Sequence, residues 1–136
     1  MAFILEENKE DESKLSQGVW QEYDIDVRLK VASANSPEYR KALKNVVAKK
    51  MPKNRKLWTE EKLIEVQMPI IAEHILKDWE GIFTRAKDGT LKAVKYKPET
   101  GLVYLQESRS LRDFVVDRMT ADENYLVEAV DDAVKN

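Results

Sequence analysis

A chain of 136 residues, 43% hydrophobic and 35% charged, has the material for one substantial core beneath a well-solvated surface. Its apolar runs fall far short of the roughly 20 residues a membrane helix needs, and the absence of cysteine excludes disulfides and thiolate chemistry, in keeping with a cytoplasmic setting. The net charge of −2 conceals an asymmetry: acids crowd both ends, while eight basic residues and no acid lie between Arg40 and Lys56, a layout suited to internal pairing, a neighbouring copy or an anionic partner.

The opening MAFILEENKEDESKL starts apolar but turns acidic at once, unlike the basic start and long apolar stretch of a secretory signal. Residues 1–16 are polar and without period, which predicts a flexible acidic arm; residues 17–136 read as a single globular domain. From Val19 to Val31 apolar residues alternate with charged ones, which predicts strand with Val19, Tyr23, Ile25, Val27, Leu29 and Val31 on one buried face. The run is long for one strand, so a turn is expected near Tyr23-Asp24. Trp20 falls on the opposite face, which makes it either covered by a helix or a contact residue.

Ser36 and Pro37 then mark a helix start, at the N-cap and first helical position. Tyr39, Ala42, Leu43, Val46 and Val47 follow at helical spacing, and Pro52 ends the helix. Thr59 caps the next, with Glu60 and Glu61 in its first turn. Its predicted stripe is Ile64, Met68, Ile71, Ile75 and Trp79, with Pro69 as a kink and Gly81 as the stop. Trp58, just before the cap, is placed to staple against Leu63. Residues 82–96 predict a hairpin turning at Asp88-Gly89. Three helices complete the chain: Pro98 to about Glu107, about Ser110 to Met119, and about Asp122 to Lys135. The last carries a stripe of Tyr125, Leu126, Ala129, Val130, Ala133 and Val134. The expected class is α+β, mainly helical with four to five helices and a small antiparallel sheet.

Catalytic patterns are lacking. The one histidine, His74, has no further ligand nearby in sequence and reads as structural. Four glycines form no phosphate loop or dinucleotide fingerprint. No serine sits in a nucleophile elbow, and the acid pairs Glu60/Glu61 and Asp131/Asp132 read as helix-terminal or solvent-facing charges. The expectation is a non-enzyme without cofactor or metal.

KKMPKNRK places Lys49, Lys50, Lys53, Arg55 and Lys56 in one acid-free stretch. It can be a solvated inter-helix connection, a surface for an acidic protein, or a phosphate-binding segment. The lack of interleaved aromatics, apart from Trp58 at its edge, and a pI near 5.6 argue against nucleic acid. Partner contact is therefore assigned to Trp20, Lys49, Lys50, Lys53, Arg55, Lys56 and Trp58.

The order of features resembles a known family. GVWQEYD before the alternating strand, SPEYRKAL opening a helix, HILKDWEGI, YKPETGLVYLQESRSLRDFV and TADENYLVEAV are together similar to the tail assembly chaperones of long-tailed, siphovirus-like bacteriophages and prophages. The likeness runs over roughly residues 18 to 130. It is closest at Asp78-Trp79-Glu80-Gly81, Tyr96-Lys97-Pro98-Glu99 and Leu111 to Val115. The resemblance implies a non-enzymatic protein of the host cytoplasm, absent from the mature virion. It would bind and solubilise the tape measure protein and help recruit tail tube subunits. Self-association through the charge asymmetry is expected; a membrane partner is not. A virion structural or head–tail connector protein is the first alternative, and a nucleic-acid-binding regulator the second.

Overall fold

The computed structural model describes residues 2–127, and the fold is α+β. A short helix α1 (Glu12–Gln17) leads into strands β1 (Val19–Asp24) and β2 (Val27–Val31). Helices α2 (Pro37–Lys50) and α3 (Glu60–His74) follow, then strand β3 (Leu76–Glu80) and a hairpin of β4 (Phe83–Arg85) and β5 (Leu91–Ala93). Helices α4 (Pro98–Glu107) and α5 (Arg109–Met119) complete the regular elements, with a 3₁₀ turn at Asp122–Tyr125. The three-stranded antiparallel sheet has β2 at its centre, and β4–β5 forms a separate two-stranded sheet.

The alternating run of residues 19–31 becomes β1 and β2, which turn at Ile25-Asp26. Asp26 takes the left-handed backbone at φ 61°, a conformation that Asp tolerates better than a β-branched residue. Leu29 and Val31 are fully buried as the pattern requires, but Ile25 sits in the turn and is 85% exposed. Helix α2 starts as predicted at Ser36-Pro37, although the Ser36 hydroxyl makes no cap bond. Thr59 caps α3, accepting from the Lys62 N–H. The helix continues through Pro69, which is exposed, so the acceptor left without an N–H partner lies on the wet side.

Three predicted elements need correction. First, α3 ends at His74, and Trp79 belongs to strand β3. Central strand β2 has β1 on one edge, and β3 satisfies the other, pairing Leu29 with Trp79 and Arg28 with Glu80. Gly81 is accordingly not a helix stop: at φ 80° it closes β3, and a Cβ there would strike the Asp26 carbonyl oxygen. Second, the segment read as a structureless arm contains α1. Asp11 caps it, accepting from the Ser13 and Lys14 N–H groups, and Leu15 is buried. Glu10 pairs with Leu126 in an antiparallel bridge, flanked by bonds from the Asp11 N–H to the Tyr125 carbonyl and from the Val127 N–H to the Lys9 carbonyl. Third, no helix runs through residues 122–127; Tyr125 ends a 3₁₀ turn and Leu126 lies in that bridge. The rest of that predicted helix, residues 128–136, lies outside the described residues.

The core collects Leu29 and Val31 from the sheet, Met68, Ile71 and Ile75 from α3, Leu105 from α4, and Leu111 and Val115 from α5. Trp79 packs edge-on against Tyr96, ring centroids 4.9 Å apart, and is tilted against Tyr104 at 5.1 Å. Its indole N–H donates to the Val94 carbonyl at 2.7 Å, and the Tyr96 hydroxyl donates to the Ala72 carbonyl. Buried Tyr125 sends its hydroxyl to the Val31, Ala32 and Arg118 carbonyls at 3.0–3.1 Å. These aromatics carry the quoted sequence motifs, and they knit strand, hairpin base and helices together.

Candidate protein-binding surface

The residues assigned to partner contact do not form one site. Trp20 lies on edge strand β1, where the Arg28 guanidinium covers its ring at 4.5 Å. Arg28 is also bonded to Glu80 at 2.8 Å, with both side chains about half exposed. Half-exposed pairs of this kind contribute about 0–1 kcal/mol, and Trp20 beneath it is only partly buried. The basic stretch occupies the α2–α3 connection, where Lys49, Lys50, Lys53, Arg55 and Lys56 are all exposed. Trp58 turns inward to close this loop. Its indole N–H donates to the Pro52 carbonyl at 2.7 Å, and the Arg55 guanidinium lies 5.0 Å from its ring. Met51 is buried beneath the connection. Trp58 thus has a structural task, and the cations around it point to solvent.

A concavity with an apolar lining lies elsewhere, where no sequence motif marked it. Between α3 and α5 lies a groove of about 480 Å³ whose apolar lining is Leu63, Ile64, Met68 and Val116. Its position follows from two helix starts. Thr59 caps α3, Ser108 caps α5 by accepting from the Leu111 N–H, and Glu60 meets Arg109 at 3.7 Å. Leu111 and Val115 turn into the core, which leaves the Arg112, Asp113, Val116 and Asp117 side of α5 along the groove. Leu63 stands 37% exposed beside it.

Arg112 is the cation of the groove's lining. Its guanidinium donates to the Leu105 and Gln106 carbonyls, at 2.9 and 3.3 Å, and so caps the end of α4. Glu60, Asp113 and Asp117 outnumber it along the lining, so the rim keeps a net negative character even with Glu60 drawn toward Arg109. The stripe of α3 was legible, but the groove needs α5 alongside, and no local signal in the sequence reports which helices become neighbours.

Among the described residues, no group of three or more His, Asp or Glu side chains is placed to hold a metal ion. His74 is half-buried at the end of α3, 4.0 Å from Glu73. No helix among the described residues is long and apolar enough to cross a membrane.

A family model described as YdaY prophage protein matches residues 34–136, well over half of the chain. Comparisons with curated proteins and with solved structures give no match.

Proposed function

The chain belongs to the YdaY prophage protein family, and from that premise we propose that it is a non-enzymatic tail assembly chaperone. In this reading it works in the host cytoplasm, binds and solubilises the tape measure protein, helps recruit tail tube subunits, and leaves before the virion is complete. A long helical protein that exposes apolar faces until a tube surrounds it will aggregate unless those faces are covered. The order of sequence motifs supports a tail assembly role.

The observation that carries the reading is the groove between α3 and α5. It has an apolar floor, a polar rim and an open top, the form that accepts one face of an amphipathic helix. Its acidic rim favours a segment of the tape measure protein whose apolar stripe is bordered by Lys or Arg. The experiment is co-expression with the tape measure protein of the same prophage, followed by co-purification. A soluble complex is expected, together with absence of this chain from purified particles. An insoluble, uncomplexed tape measure protein and this chain in finished particles would instead support a virion structural protein.

A further inference from the structure

The β4–β5 hairpin leaves one apolar face uncovered. All six of its strand residues are exposed. Phe83 pairs with Ala93 and Arg85 with Leu91, which puts these four side chains on one face, where Phe83 is 52% and Leu91 57% exposed. A two-stranded hairpin is marginal in water without a further layer. This one is secured only at its ends. At the base the Val94 N–H donates to the Ile82 carbonyl, while the Val94 carbonyl accepts from Trp79. At the tip Arg85 donates to the Gly89 carbonyl, and the Asp88 carboxylate accepts from the Thr90 N–H and hydroxyl. Between Phe83 and Lys97 the segment has five basic residues, Arg85, Lys87, Lys92, Lys95 and Lys97, against the single acid Asp88.

A surface of opposite character lies on the same chain. The β1–β2 turn presents Ile25, 85% exposed, within a cleft of about 700 Å³. Arg28 in that cleft is occupied by Glu80, and no cation among the described residues pairs with Glu22, Asp24 or Asp26. An apolar centre with acids around it therefore matches a largely apolar face that carries Arg85 and has Lys87 at its tip.

We propose that the chain forms a two-fold dimer in which the β4–β5 hairpin of each copy docks on the β1–β2 turn of the other. Phe83 and Leu91 cover Ile25, and Arg85 on the same face, with Lys87 at the tip, meets Glu22, Asp24 and Asp26. Because Gly81 abuts the Asp26 backbone, the hairpin root and the turn are neighbours within one molecule. A two-fold operator then satisfies both contacts at once and closes the assembly. This contact is separate from the α3–α5 groove and stands or falls without it.

Sedimentation velocity on the purified protein tests the dimer. The Arg85→Glu/Lys87→Glu variant should associate about tenfold or more weakly, as should Glu22→Lys/Asp24→Lys, and raised salt should weaken the wild type. In a mixed dimer of the two variants one contact has its charge reversed on both sides and the other is native, so a heterodimer should be restored. Thermal melts of each variant identify any misfolding. The cysteine-free background adds an independent readout: Ile25→Cys mixed with Phe83→Cys should give an intermolecular disulfide on oxidation. A monomeric wild type, a dimer indifferent to both charge reversals, or a mixture that neither associates nor cross-links would overturn the proposal.

Discussion

Tyr125 illustrates how a single side chain closes this fold. Its ring is fully buried, and its hydroxyl satisfies carbonyls at Val31 and Ala32, where the chain leaves the sheet, and at Arg118 near the end of α5. Tyr125→Phe keeps the packing but strands these acceptors, so chemical denaturation should show a loss of about 1–3 kcal/mol. Burial also raises the phenol pKa above its ordinary value near 10. Burial acts first on Tyr96 too, with Glu99 adding to the rise, and on Tyr39, where the Gln67 bond partly offsets it. A raised folded pKa means that the stabilisation is complete below pH 10 and is lost as pH climbs beyond it. Gly101 offers a second test at this scale. Alanine is intrinsically better in a helix by about 1 kcal/mol, but its Cβ would press into the Tyr96 ring. That ring is fixed between Trp79 and the Ala72 carbonyl, so overpacking of about 1–3 kcal/mol should win and Gly101→Ala should lower the melting temperature. The sequence marked Tyr125 as apolar and buried but hid its bonding, because the Val31 carbonyl lies 94 residues away.

Elements set by local chemistry were legible: the turn inside the 19–31 run, the Ser36-Pro37 and Thr59 helix starts, the Asp88-Gly89 hairpin, and helices α4 and α5. The helices and the hairpin have their signal within a few residues, in a cap, a proline or a glycine, and the turn shows as a run too long for one strand. The failures share one cause, a partner distant in sequence. Leu76–Glu80 has residues acceptable in a helix, yet it becomes β3 because β2 has an open edge. Helix α1 carried a readable mark, Asp11 as N-cap followed by Glu12 in the first turn, but a six-residue helix is stable only when docked. Its dock is tangible: Leu15 is 6% exposed, the Ser33 N–H donates to the Leu15 carbonyl, and Lys14 Nζ donates to the Leu126 carbonyl at 2.9 Å. Leu15→Ala should therefore cost about 2–4 kcal/mol in equilibrium unfolding, whereas a structureless arm would give no measurable change.

For the whole molecule, charge placement and exposed apolar surface together decide what the protein can contact. The basic connection of residues 49–56, conspicuous in the sequence, closes over its own Trp58 and leaves its cations to solvent. Contact chemistry is better developed at the acid-rimmed groove between α3 and α5, where an apolar helix face can be covered without dismantling the core. Neither α3 nor α5 reveals that groove alone; it exists because Leu111 and Val115 turn inward and leave Val116 opposite Leu63 and Ile64. The most direct measurement is the soluble yield of the tape measure protein co-expressed with the wild-type chain and with Leu63→Glu/Val116→Glu. Chaperoning through the groove predicts a soluble complex with the wild type and aggregated tape measure protein with the variant, whose own thermal melt shows it folded despite the Val116 packing it gives up. Equal solubility with both chains, or no rescue by either, would contradict it.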